Sequence, residues 1–232
     1  MQNKKEAIDI RLNKLNVKTV SINIRGFDGP LVVHHWGEKA IKEMLGAQMS
    51  TKAKGPKEKK DPRKDFLSSL YFIGTGKEEK PRYGFPASAF KSAMVRATKL
   101  LKDTKQLKLD MIAAKQILFV CSDGQENKEI SIDLPTGEKF TNILNTDLVE
   151  IFGEPTSRMD MVRLSNGSAD IRFRAEFKKW NATLRIQYLP DVLDEETVAN
   201  LLYRAGMTVG IGEGRPERGD MGWGRFEIVG GK

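Results

Sequence analysis

One cysteine and two histidines stand among 232 residues. A single thiol excludes an internal disulfide and any cysteine-rich zinc centre. Cys121 closes the apolar run Ile117, Leu118, Phe119, Val120, Cys121, which reads as a buried strand with a core thiol. His34 and His35 are adjacent, so on a strand they face opposite ways and cannot act as a pair, and with no other clustered ligands they make a poor metal site. One packed and one solvated imidazole near a turn at Trp36 and Gly37 is the arrangement expected. Long apolar stretches are also missing, since the run at 117–121 falls far short of the roughly 20 residues that span a bilayer. No apolar segment follows the charged residues 1–6, so the sequence predicts a cytoplasmic protein without membrane contact.

What is present is basic charge. The chain carries 39 Lys and Arg against 31 Asp and Glu, a formal net charge of +8, with 39% hydrophobic and 30% charged residues, a globular composition with a basic bias. Residues 50–64 hold seven basic and two acidic side chains, a balance of +5, and no large apolar one. Such a stretch cannot bury a core face, so 50–65 is expected to be a flexible basic insertion that presents Lys52, Lys54, Lys57, Lys59, Lys60, Arg63 and Lys64.

Around it the periodicities alternate. Residues 20–25 read as a half-buried strand, and 38–49 as a short amphipathic helix through Ala40, Ile41, Met44, Leu45 and Gln48. Residues 86–102 form the clearest helix, with Phe90, Met94, Ala97 and Leu101 at i, i+4, i+7 and i+11 behind Pro86 and Ser88. Two alternating stretches, 171–178 and 183–188, suggest a hairpin turning near Lys179, Trp180 and Asn181. A second helix begins at Asp194, Glu195 and Glu196, packs through Val198, Leu201, Leu202 and Ala205, and stops at Gly206. Leu148 to Phe152 suggest a strand inside a long middle stretch, 122–168, that reads as a second insertion. The sum is one α+β domain over 1–232, a ferredoxin-like (RRM-type) sheet with helices on one face.

The C-terminal segment 210–225 places six glycines and three arginines in sixteen residues. Glycines at this density let backbone N–H groups approach another backbone, such as a phosphodiester chain. A dinucleotide fingerprint needs a strand before the glycines and a helix after them, and here the order is reversed. There is no Gly-Lys-Ser/Thr either, so a P-loop is excluded and no cofactor is indicated.

Residues 83–96, Tyr-Gly-Phe-Pro-Ala-Ser-Ala-Phe-Lys-Ser-Ala-Met-Val-Arg, resemble the opening of the first helix in the RAMP superfamily of CRISPR-associated proteins. The glycine segment resembles that superfamily's glycine-rich loop ahead of the last strand. Found together and in this order, the two motifs are more specific than either alone. The resemblance implies a ferredoxin-like core that binds single-stranded RNA, of the backbone-subunit type that multimerises along a guide RNA beside other effector subunits. It implies phosphate contacts from Ser88, Lys91 and Arg96 at the helix start and from Arg215, Arg218 and Arg225 in the glycine loop, with Trp223, Tyr83 or Phe85 stacking on bases.

Some members of the superfamily cut target RNA with an aspartate ahead of the first motif. Here Ser68 to Phe72 contain no carboxylate, and Asp65 is the nearest upstream candidate, so no catalytic residue is assigned. Two other readings stay open: an RNA-processing endonuclease using His34 or His35, and a phage- or mobile-element-encoded relative that binds single-stranded DNA or a protein outside any CRISPR complex. The second is prompted by Ala87 and Ala89, which depart from the superfamily's usual pattern.

Overall fold

A computed structural model describes residues 13–35, 60–101, 109–133, 136–163, 167–219 and 221–230, together with Ile41, Met44, Leu45 and Gln48, which are helical. It is a mixed α+β structure with antiparallel sheets. One sheet has the order β13-β1-β12-β5, formed by β1 (Lys18–Gly26), β5 (Phe119–Val120), β12 (Asn181–Tyr188) and β13 (Phe226–Ile228). Helix α2 (Ala87–Ala97) lies between β1 and β5 in the chain, and α4 (Glu195–Arg204) between β12 and β13.

The alternation in the sequence explains this sheet. Ile22 faces Leu184 and Ile24 faces Ala182 across the β1–β12 ladder. Direct partners in an antiparallel pair share a face, so the two period-2 patterns add into one apolar surface. All four side chains join the core that also holds Phe90 and Met94 of α2 and Val198, Leu201 and Leu202 of α4. Ser21, Asn23, Thr183 and Arg185 occupy the opposite, exposed face. Asp194 caps α4, accepting from the Thr197 backbone N–H at 2.6 Å.

The remaining strands form a three-stranded sheet β10-β11-β2, a four-stranded sheet β3-β4-β9-β6 and a two-stranded hairpin β7-β8. Their spans are β2 Leu31–Val33, β3 Tyr71–Ile73, β4 Arg82–Pro86, β6 Gly124–Gln125, β7 Lys128–Asp133, β8 Lys139–Leu144, β9 Asp147–Ile151, β10 Pro155–Arg163 and β11 Ala169–Phe177. Helices α1 (Pro62–Ser69) and α3 (Met111–Ile117) complete the described elements. Thus much of 122–168 is strand, and the strand expected at 148–152 is β9.

Three expectations are corrected. Strands β11 and β12 do not form a hairpin: β11 pairs with β10 and β2, while β12 pairs with β1 and β5. The short link between them changes sheets instead of turning back. Trp180, only 3% exposed, anchors that crossing, and its carbonyl accepts the Gly26 N–H at 2.9 Å. A Cβ at Gly26 would lie 2.4 Å from the indole nitrogen, so β1 ends on glycine because the ring occupies that space. Next, α4 runs on past Gly206 through a π-turn, Ala205–Val209, and the chain turns at Gly210 with φ +69°. Gly206 is needed there because a side chain would collide with the Phe226 carbonyl, 2.1 Å away. Finally, Ile117 ends α3, the strand is only Phe119–Val120, and Cys121 is partly exposed, not a core thiol.

Candidate nucleic-acid interface

Helix α2 starts directly from Pro86, so the residues after it leave strand β4 and enter the helix without a loop. Ser88, Ser92 and Arg96 recur every four residues and therefore lie along one stripe, which forms one wall of a cleft of about 260 Å³. The glycine loop forms the other wall with Gly210, Gly212 and Arg215. The two motifs, far apart in sequence, meet here.

The loop is held by backbone bonds to the chain's own turns. Ile211 donates to the Gly224 carbonyl, Gly224 to that of Pro30 and Glu213 to that of Val32, each at 2.9 Å. The glycines serve these close approaches: a Cβ would fall 1.7 Å from the Ile211 oxygen at Gly224 and 2.5 Å from the Val32 oxygen at Gly212. Stitching the loop to β2 also brings His34, just after that strand, to the cleft.

Acidic residues balance the cationic ones. Glu217 pairs with Arg96 and lies 3.5 Å from Arg215, whose Nη1 donates to the Gly212 carbonyl at 2.9 Å. Burial alone would raise the Glu217 carboxyl, but Arg96 and Arg215 outweigh it and hold its pKa below the ordinary value. Glu213 stands 3.5 Å from Nη1 of the buried Arg174 and 4.0 Å from His34. Burial is the main effect that lowers the His34 pKa below 6.5, joined by Arg174, Arg172 and His35 and opposed by Glu213, so the imidazole is neutral at pH 7. Tyr71 lines the same cleft, and its pKa is pushed up to about 12 by burial and then by Glu126 and Glu213. It is a proton donor throughout the physiological range.

His35 is the packed imidazole of the pair. It is 5% exposed, with Nε2 2.9 Å from the buried Glu126 carboxylate and its ring edge-on to Tyr71 at 4.4 Å. His34 is the half-exposed one.

The cleft gathers Ser88, Arg96 and Arg215 from the residues singled out in the sequence, and leaves others elsewhere. Lys91 sits about 140° around the helix from Arg96 and places its ammonium 4.2 Å above the Phe119 ring. Arg225 binds Asp28 at 2.7 Å and the Gly222 carbonyl at 3.1 Å, fixing the turn that follows β1. Trp223 stacks under the Arg158 guanidinium at 4.1 Å and against Gly214, where a Cβ would lie 2.4 Å from its ring. Phe85 is buried against Tyr71 and Phe90, and Tyr83 packs on Phe72 and Phe177, so these rings are engaged within the protein. Arg218 is exposed in the turn after Pro216.

Lys52, Lys54, Lys57 and Lys59 lie outside the described residues. Lys60 binds Asp170 and the Ile171 carbonyl on β11. Arg63 and Lys64 belong to the first turn of α1, capped by Asp61, and with Lys128 they flank a second, shallower cleft. Sequence reasoning missed Ser92, Tyr71, Arg174, Glu213 and Glu217. Ser92 had a signal, four residues from both Ser88 and Arg96; Arg174 had none, because its pairing depends on how the sheet meets the loop.

No protein-family model and no curated protein matches the sequence. Among solved structures, Cmr6 from Pyrococcus furiosus superposes with a TM-score of 0.38 at 11% identity, over 93% of this chain and 100% of that one. Among the described residues no helix is long and apolar enough to cross a membrane.

Proposed function

We propose that the chain is a non-catalytic single-stranded RNA-binding protein with a ferredoxin-like core, multimerising along a guide RNA as a backbone subunit of a CRISPR-type ribonucleoprotein. The strand order β13-β1-β12-β5, with one helix after the first strand and one after the third, supports the ferredoxin-like reading. The observation that carries the function is the meeting of both motifs at one cleft, where Ser88, Ser92, Arg96 and Arg215 supply hydroxyl and guanidinium donors on facing walls. Such donors suit phosphate oxygens and read no base. The basic residues of 50–64 add attraction that does not depend on sequence.

Fluorescence anisotropy with labelled single-stranded RNA tests this. Ser88 and Ser92 are exposed, so Ser88→Glu and Ser92→Asp leave the fold intact while setting carboxylates in the phosphate path. Affinity is expected to fall by about tenfold or more, the equivalent of about 1.4 kcal/mol. Unchanged affinity with a native circular dichroism spectrum would remove the cleft from the binding surface. Competition with single-stranded DNA of the same sequence distinguishes the two nucleic acids.

One observation favours a second reading, an RNA-processing endonuclease: neutral His34 shares the cleft with Arg96, Arg215 and the proton donor Tyr71. A neutral imidazole suits a general base. Cleavage of RNA in EDTA that disappears in His34→Ala and survives Lys91→Ala would establish it, and intact RNA after prolonged incubation would exclude it.

A further inference from the structure

Strand β10 closes the three-stranded sheet, and among the described residues nothing pairs with its outer edge. It is nine residues long and keeps an unbroken register with β11, from Pro155 opposite Phe177 to Arg163 opposite Ala169. Proteins protect edges of this length with charged side chains, lysine above all, with prolines or with bulges. β10 has no lysine and no bulge, its proline is the first residue, and two of its three charges, Arg158 and Asp160, offset each other as an ion pair. Its side chains also leave apolar surface in water: Met159 is 66% and Met161 79% exposed, on the same face as Phe173 and Ile171 of β11.

The order of side chains along β10 is self-complementary. If a second copy pairs antiparallel about Met159, each Arg158 stands opposite Asp160 of the other copy, and the two Met159 side chains meet on the axis. Centring the pair on Asp160 would instead oppose two carboxylates, and centring it on Arg158 two guanidiniums. Within the single chain the same two charges already attract each other, Arg158 Nε reaching one Asp160 oxygen at 2.8 Å and Nη1 reaching Glu176 at 2.9 Å.

We propose that β10 is a homodimerisation edge, through which two copies of this chain join their three-stranded sheets into one six-stranded sheet in a two-fold antiparallel pairing centred on Met159. The inference rests on the sheet edge and not on RNA binding, so the two stand or fall separately.

Sedimentation velocity of the full chain, freed of nucleic acid by nuclease and high salt, is the test. Across micromolar concentrations the wild type is expected to move from the 26.1 kDa of one chain towards twice that mass. Met159→Glu and Met159→Lys each set like charges on the axis and are expected to stay monomeric. Mixed in equal amounts they set Glu against Lys and are expected to recover the doubled mass. Met159 is exposed, and a native circular dichroism spectrum confirms that each variant folds. A wild type that remains at one-chain mass, variants that dimerise as it does, or a mixture that stays monomeric would each overturn the proposal. RNA anisotropy on Met159→Glu is read separately and is expected to match the wild type at concentrations where both are monomers.

Discussion

Replacing Gly224 by alanine separates two reasons for a glycine in the C-terminal loop. The residue is buried with φ +65°, and a Cβ there would sit 1.7 Å from the Ile211 carbonyl oxygen and 2.8 Å from its carbon. The left-handed conformation alone costs an L-residue about 1–2 kcal/mol. Relieving the collision pulls Gly224 off Ile211 and endangers two bonds, Ile211 N–H to Gly224 O and Gly224 N–H to Pro30 O, both 2.9 Å. A buried backbone group left without a partner costs about 1–3 kcal/mol. The combined loss is roughly 3–8 kcal/mol, and at about 2–4 °C per kcal/mol for a chain of this size the melting temperature should fall by roughly 6–32 °C.

Gly222 is the control. It has nearly the same φ, +67°, but a Cβ there meets only the Arg225 side chain, at 3.7 Å. Gly222→Ala therefore carries the conformational cost alone, and its melting temperature should fall by roughly 2–8 °C. Thermal melts followed by circular dichroism measure both. Equal drops would refute the claim that close packing on Ile211 selects glycine at 224, and a Gly224→Ala protein as stable as the wild type would refute the loop geometry itself.

Two further outcomes concern titration. A Tyr71 pKa raised to about 12 from 10 means that the folded state holds the phenolic proton more tightly. Its contribution, about 2–3 kcal/mol, is complete below pH 10 and is lost between pH 10 and 12, so denaturant melts at alkaline pH should show a smaller loss in Tyr71→Phe than in the wild type. His34 has the opposite sign: its lowered pKa favours folding while the ring is neutral, and that advantage disappears as pH falls below 6.5. Between pH 7 and 5 the wild type should lose more thermal stability than His34→Gln, and parallel pH profiles would contradict the partial burial of this ring.

The elements most legible in the sequence were those whose pattern is local. The alternation at 20–25, the recurrence of Phe90, Met94 and Ala97 at four and three residues, and the cap at Asp194 are each read within one segment, and each turns one face of that segment to the core. Pairing is not local. Strands β11 and β12 both alternate and nearly touch in sequence, yet the indole of Trp180 sends the chain from one sheet to another, and nothing in either pattern encodes that. The cleft was legible in the same uneven way. Both of its walls were visible as motifs, whereas the carboxylates that balance its arginines were not, because Glu213 and Glu217 acquire partners only when the loop folds against α2 and β11.

That balance bears on how RNA would be captured under the proposed function. Around the cleft Arg96, Arg174 and Arg215 face Glu213 and Glu217, with His34 neutral, which leaves a formal charge of only about +1. Attraction that acts at a distance is screened over about 8–10 Å at ordinary salt and grows with net charge, so the proposed function assigns most of it to residues 50–64, which carry +5 of the chain's net +8, rather than to the cleft. On the same proposal the cleft would contribute fit and hydrogen bonds at short range. Each phosphate contact on a single strand adds about 0.7 to the slope of log K against log salt. Replacing Lys52, Lys54, Lys57 and Lys59 by serine should reduce that slope by up to about 2.8. Glu217→Gln should act the other way, releasing Arg96 and Arg215 to phosphate, raising affinity and steepening the slope by about 0.7–1.4. Anisotropy titrations from low to high salt measure both. A slope that ignores the four lysines would place the electrostatic capture elsewhere on the chain, and a Glu217→Gln protein that binds more weakly would show that this carboxylate supports the bound geometry instead of competing with the phosphate.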